Sequence, residues 1–216
     1  MRKKIILVGA NNPETLRIIE AMNASGAYHE IIGWLDNDTN KYGTDVFGYE
    51  VLGAPELLLE KKYRECFVFN NITRNGLVRE AVTEQLKQYT NQFANVIHPS
   101  VNLAGVIVGQ GVCIQEGALV QSHAVLGDHC FLTSTTLIGH EAVIGENVFI
   151  AGGCVIAGMS IIGAGATIWT GAKIAPRLKI GNRSVIGINS SVLTNISDNV
   201  TVFGNPAREI FRKPDG

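Results

Sequence analysis

The sequence predicts two joined units: an α/β, Rossmann-like domain over residues 1–97 and an all-β parallel β-helix over residues 98–216. Two observations predict this. The first hundred residues alternate strand-like and helix-like apolar patterns, and from Val101 to Ser190 the chain repeats every six residues without an insertion or a loss.

In the first half, "KIILVGA" (Lys4 to Ala10) is a buried-strand run. The following "NNPETLRIIEAMNASG" predicts a helix, with Asn12 as N-cap, Pro13 at the first helical position, an apolar stripe of Leu16, Ile19 and Met22, and Gly26 as its stop. "IIGWLD" reads as a second strand ending at Asp36, "APELLLEKK" as a short helix, "CFVFNN" as a third core strand, and Leu77 to Tyr89 as an amphipathic helix. Strands alternating with helices imply a parallel sheet of Rossmann-like order.

The second half divides into hexads such as LVQSHA, VLGDHC, FLTSTT, LIGHEA and VIGENV. From Ile107 onward the second position is Val, Leu or Ile in all fourteen hexads, and the sixth is small or β-branched except at Leu178. A period of six fits neither a helix at 3.6 nor a flat strand at 2, but it is the signature of a triangular solenoid. One hexad makes one side, three make an eighteen-residue coil, and coils stack about 4.8 Å apart. Second-position aliphatics fill the axis, and third-position glycines such as Gly109, Gly127, Gly139 and Gly145 are expected to relieve steric limits where the chain bends.

A net charge of −1 offers no basic patch for nucleic acid. Neither a run of eighteen apolar residues nor a signal peptide is read, so the expectation is a soluble cytoplasmic protein without membrane insertion. Cys66, Cys113, Cys130 and Cys154 lie far apart and form no CxxC. Cys130 and Cys154 occupy sixth positions and read as small core residues. His123, His129 and His140 fall on different sides or heights of the coil, unlike the three-histidine zinc site of some hexapeptide-repeat carbonic anhydrases, so no metal is predicted.

Stacking by eighteen places Ser122 below His140, Gly158 above it and Pro176 above that, with His123 below Glu141. A histidine with a carboxylate neighbour, over a glycine amide, has the parts for base-assisted acyl transfer. From spacing alone an outward-facing surface histidine is an equal reading.

With the hexads, the His140–Glu141 pair and the closing "FGNPAREI", the chain resembles the sialic acid O-acetyltransferase and nucleotide-aminosugar N-acetyltransferase family. The order "GHEAVIG…G.NS.V…GNPA" carries the resemblance, which covers nearly the whole chain. It implies a left-handed helix, acetyl-CoA as donor, and a homotrimer with active sites between neighbouring helices. It makes His140 the general base, Glu141 its orienting partner and Gly158 the backbone donor to the acetyl carbonyl. Pantetheine would lie past Gly158 toward Thr170 and Pro176, and Pro206, Ala207 and Arg208 near the CoA nucleotide. Several relatives carry a second histidine nine residues after the base, where this chain has Phe149. Outward-facing Phe131, Phe149 and Trp169 are expected to be covered by a partner subunit.

The resemblance also makes the N-terminal domain the sugar-nucleotide-binding half. Gly9, Asn11, Asn12 and the free amides at the Pro13 helix start are candidates for the diphosphate, Asp36 and Asn37 for the base or ribose, and Asn70 for a weaker contact. The turn has Gly9 but lacks the later glycines of a dinucleotide fingerprint, which argues against NAD. The activity expected is N-acetylation of a nucleotide-linked aminosugar in surface glycan synthesis. Sugar O-acetylation and a non-catalytic scaffold or sugar-nucleotide sensor are the alternatives.

Overall fold

A computed structural model describes residues 3–73 and 76–212. It divides into two compact units, one running through His98 and one beginning at Pro99.

The first unit is built on β1 (Lys3–Val8), α1 (Glu14–Ala24), β2 (His29–Leu35), β3 (Asp45–Val46), β4 (Tyr49–Gly53), β5 (Phe67–Asn70) and α2 (Gly76–Lys87). Ile5, Ile6 and Leu7 are fully buried, as are Trp34, Leu35, Val68 and Phe69, because strands covered on both faces read as continuous apolar runs. The sheet order is β3-β4-β2-β1-β5, with only the β3–β4 pair antiparallel. Helix α1 ends as the glycine predicts: Gly26 has φ +101°, its N–H donates to Asn23 O, and Ala27 N donates to Met22 O.

The crossovers depart from the expected alternation. "APELLLEKK" forms two 3₁₀ turns, Pro55–Leu59 and Lys61–Tyr63, rather than an α-helix. Glu60 between them is extended (ψ 142°), and the turns close by i→i+3 bonds such as Glu60 N to Leu57 O. The β3–β4 hairpin was not expected at all. Its turn places Phe47 at φ +54° and Gly48 at φ +83°, and a phenylalanine is not a residue that signals such a turn.

The second unit is a parallel β-helix. Two-residue strands pair at a separation of eighteen, as in Leu119↔Leu137↔Val155↔Lys173, and stack into three sheets. The arrangement fits a left-handed parallel β-helix. Second-position residues such as Leu132, Ile138, Ile150 and Ile156 are fully buried along the axis, and so are sixth-position Ala124, Cys130, Ala142 and Ser160. One sheet is extended by a C-terminal antiparallel hairpin, Val200–Gly204 with Ala207–Arg212.

The bend itself is not made by the third-position glycines. None of them has a positive φ; the left-handed conformation falls on the fifth position, at His123 (φ 62°), His129 (59°), Thr135 (60°), Glu141 (58°), Asn147 (55°), Met159 (62°) and Arg177 (62°). The third position is glycine for a different reason. A Cβ at Gly145 would stand 2.8 Å from Ala164 N and 3.0 Å from Ile162 O, so the next coil's backbone occupies the space.

Candidate functional site

His140 and Glu141 form the corner between strands Leu137–Ile138 and Val143–Ile144. The backbone of that corner is held by both neighbouring coils. Glu141 N donates to Ser122 O (3.1 Å), and Met159 N donates to His140 O (2.8 Å). His140 N donates to the side-chain Oε1 of Gln121 (2.9 Å), a contact that the hexad pattern does not announce.

The His140 Nδ1 lies 3.2 Å from Glu141 Oε1, with the two side chains 53% and 55% exposed. A carboxylate there favours the tautomer with hydrogen on Nδ1, which leaves the Nε2 lone pair outward as the basic end. That Nε2 lies against Gly158: a Cβ on Gly158 would stand 2.6 Å from it. The carbonyl of Gly158 accepts from Arg177 N (3.1 Å), while among the described residues its N–H has no acceptor. The corner thus pairs an oriented base with an uncommitted backbone donor, the components of carbonyl attack with oxyanion stabilisation.

The other expected positions divide. Pro176 follows Gly158 at this corner, one coil on. Thr170 does not: twelve residues from Gly158 is two sides around an eighteen-residue coil, which places it at a different corner, after strand Thr167–Ile168. His123 occupies the same corner one coil below Glu141, but its ring makes no hydrogen bond to that carboxylate among the described residues. Pro206, Ala207 and Arg208 form the turn and first residues of the C-terminal hairpin, and the Arg208 guanidinium donates to Ala207 O (2.9 Å).

Phe131 and Phe149 are buried, not exposed. They are 0% and 7% exposed, in a ring column with centroids 5.9 Å apart, and Trp169 continues it at 5.8 Å from Phe149. The exposed apolar stripe lies on another side, at Ile107 (66%), Val143 (38%) and Ile161 (42%). The four cysteines are buried and form no disulfide, and no cluster of three metal-binding side chains occurs among the described residues.

In the first unit a cavity of about 290 Å³ opens beyond the C-terminal ends of β1 and β2, lined by Gly9, Asn11, Asp36, Asn37, Lys41 and Ile72 among others. Ligands of open parallel sheets bind at these strand ends. Asn12, Pro13 and Asn70 do not line it. Asn70 is 2% exposed, and its amide donates to Arg79 O (3.0 Å) and Thr83 Oγ1 (2.9 Å), so it holds α2.

The turn after β1 satisfies itself. Gly9 N donates to Leu35 O, Asn11 N to Gly9 O, Ala10 N to Asp36 Oδ2 (2.9 Å) and Glu14 N to Asn12 Oδ1 (3.1 Å). The expected set of free amides for a diphosphate is therefore largely committed. Two residues without a sequence signal build this turn. Asn71, fully buried, donates to Gly9 O (3.1 Å) and Asn12 O (3.0 Å) and accepts from Thr15 Oγ1. Lys41 Nζ reaches Asp36 Oδ2 at 2.8 Å and supplies a cation to the cavity.

Burial pushes the Asp36 carboxyl up. Hydrogen bonds from Lys41, Asp38 N and Ala10 N, with the charge of Lys41, together outweigh it and hold the group below the usual carboxylate value. A depressed folded-state value contributes stability that is present above the unfolded value of about 3.9 and is lost as pH falls through the folded one. Asp36→Ala should remove that acid-sensitive contribution and leave Ala10 N unpaired. An unchanged acid-unfolding profile in Asp36→Ala would remove Asp36 from this account.

No protein-family model matches the chain, and a search of curated proteins finds no match. Solved structures do. The acetyltransferase domain of PglB from Neisseria gonorrhoeae, in complex with acetyl coenzyme A, is 27% identical over 97% of this chain and 100% of that one, with a TM-score of 0.83. This chain has the fold of an acetyltransferase. A histidine variant of perosamine N-acetyltransferase from Caulobacter crescentus, with CoA and GDP-perosamine, is 22% identical over 98% and 97%, also at 0.83. WeeI from Acinetobacter baumannii is 24% identical over 96% and 100%, again at 0.83. No helix among the described residues is long and apolar enough to cross a membrane.

Proposed function

We propose that the chain is an acetyl-CoA-dependent N-acetyltransferase acting on the amine of a nucleotide-linked aminosugar, in the synthesis of a surface glycan. The observation that carries this reading is the His140 corner: an imidazole oriented by Glu141, with Nε2 against a glycine whose N–H is bare. The fold shared with acetyltransferases solved with acetyl-CoA, or with CoA and a nucleotide-linked aminosugar, supports the donor and the acceptor class.

In this reading the neutral amine attacks the acetyl carbonyl carbon while His140 Nε2 takes its proton. Gly158 N–H donates to the oxygen as it gains charge. When the carbon–sulfur bond breaks, the imidazolium returns a proton to the departing CoA thiolate. Glu141 holds the ring. Pro176 lies one coil beyond Gly158, where pantetheine would run, and Pro206, Ala207 and Arg208 are read as neighbours of the CoA nucleotide. Thr170, at a different corner, would reach this groove only from a neighbouring subunit.

We read residues 1–97 as a Rossmann-like sugar-nucleotide unit. Its four parallel strands run β4-β2-β1-β5, third-second-first-fourth in chain order once the β3 edge is set aside, as in a Rossmann half. Gly9, Asn11, Asp36, Asn37 and Lys41 would face the nucleotide, with Asn12 and Asn71 shaping the turn. Residues 98–216 are read as the left-handed acetyltransferase unit. A homotrimer would cover the exposed Ile107, Val143 and Ile161 stripe; sedimentation as a stable monomer at micromolar concentration would remove it. Use of acetyl-CoA fits a cytoplasmic location.

The test is a CoA-release screen of the purified protein over UDP-, dTDP- and GDP-linked aminosugars. Release with at least one supports the reading. No release with any aminosugar nucleotide supports a binding or scaffold role instead.

A further inference from the structure

We infer that Gly139 and Pro176 are positioning residues that keep the Gly158 N–H bare for the acetyl carbonyl; this rests on the reading of Gly158 as carbonyl donor. The β-helix caps four of its fourth-position amides, those of Gln110, Ser134, His140 and Ala164, by two devices. In the first, a third-position side chain reaches the amide nineteen residues later. Gln115 Oε1 accepts from Ser134 N (3.0 Å), and Gln121 Oε1 accepts from His140 N (2.9 Å). In the second, a fourth-position Asp or Asn reaches the amide eighteen residues earlier. Asp128 Oδ1 accepts from Gln110 N (2.9 Å), and Asn182 Oδ1 accepts from Ala164 N (2.9 Å).

The residue nineteen before Gly158 is Gly139, and the residue eighteen after it is Pro176. Neither carries a side-chain acceptor. The direction is the same as at the other corners: a Cβ built at Gly127 would stand 2.9 Å from Glu146 N, one at Gly145 2.8 Å from Ala164 N, and one at Gly139 would run into Gly158 N. The column therefore passes from a bare amide at Ser122 through a capped one at His140 to a bare one at Gly158. Among the described residues Gly152, Thr170 and Ile188 also have amides without an acceptor; what sets Gly158 apart is His140 Nε2 lying against it. Bare amides are tolerated where solvent reaches them; here the bare one adjoins a base.

The test supplies the missing acceptor. Pro176→Asn places at the Gly158 corner the group that Asn182 places at Ala164, without touching the backbone that Gly139→Gln would crowd. Pro176→Ala sets the baseline for losing the ring. Hydrogen exchange at the Gly158 amide reads the cap directly and should slow roughly five- to tenfold in the Asn variant relative to the Ala variant, the size of one hydrogen bond. The kcat of acetyl transfer should fall about 10²-fold relative to the Ala variant, the usual loss for one oxyanion donor. Tm should hold or rise, which a merely structural role would not give.

A slowed exchange with kcat equal to that of the Ala variant overturns the inference. So does an exchange rate that does not change, because the amide would not be within reach of a fourth-position acceptor. Failure of the broader reading looks different: the wild-type protein would release no CoA, or His140→Ala would keep full turnover, whatever the Gly158 amide does.

Discussion

His140→Ala should lower kcat by roughly 10²- to 10⁴-fold, with little change in either KM. An amine sheds a proton as its bond to the acetyl carbon forms, and the His140 Nε2 is the basic atom beside the Gly158 amide. The fold should survive. The ring is 53% exposed, and the hydrogen bonds that hold the corner come from the His140 backbone, to Gln121 Oε1 and from Met159 N. Glu141→Ala should cost less, since it orients the base across a 3.2 Å contact. The check is steady-state kinetics of purified, folded variants with the aminosugar nucleotide that releases CoA. Turnover near wild type in His140→Ala would show that this histidine is not the base.

Gly158→Ala should be nearly as damaging, about 10²-fold in kcat, through geometry alone. The added methyl would stand 2.6 Å from His140 Nε2 and 3.0 Å from its Cε1, so the imidazole must swing away from the site. Gly158 has no positive φ to forbid alanine, and the obstructing atoms are the far end of an exposed side chain, so stability should change little. A drop in Tm matching the drop in activity would mean the glycine serves packing. Unchanged Tm with lost turnover places it in the acetyl-transfer site. The misplacement of one ring by about an ångström is enough for an effect of this size.

The parts of this site that the sequence made legible are those fixed by the coil. A strict period of six, summed over three sides, makes residues eighteen apart vertical neighbours, so His140 over Ser122 and under Gly158 followed by counting. The strand β1 and the close of α1 at Gly26 were legible for a similar reason: each depends on residues within a few positions. What was hidden depends on partners far along the chain or on conformations that residue type does not advertise. The left-handed corner falls on Glu141, Met159, Thr135 and Arg177, none of which signals a positive φ, and so the bend was assigned to the glycines two positions earlier. The β1–α1 turn looked like a set of free amides, but Asp36, twenty-six residues from Ala10, takes one of them. Asn71 closes the same turn from a position sixty-two residues from Gly9. Phe131 and Phe149 were expected outside because first-position residues alternate outward; both are covered, with their rings 5.9 Å apart, and the exposed stripe falls to Ile107, Val143 and Ile161.

The central claim is transfer of acetyl from CoA to a sugar amine, and the product decides it most directly. The wild-type protein is incubated with acetyl-CoA and each nucleotide-linked aminosugar, and the nucleotide sugar is recovered and weighed by mass spectrometry before and after mild alkali. The predicted result is a gain of one acetyl group that survives alkali, as an amide does, and that accumulates about 10²-fold or more slowly when His140→Ala replaces the wild type. No acetyl gain on any aminosugar nucleotide, or an acetyl group that alkali removes as an ester, would contradict it.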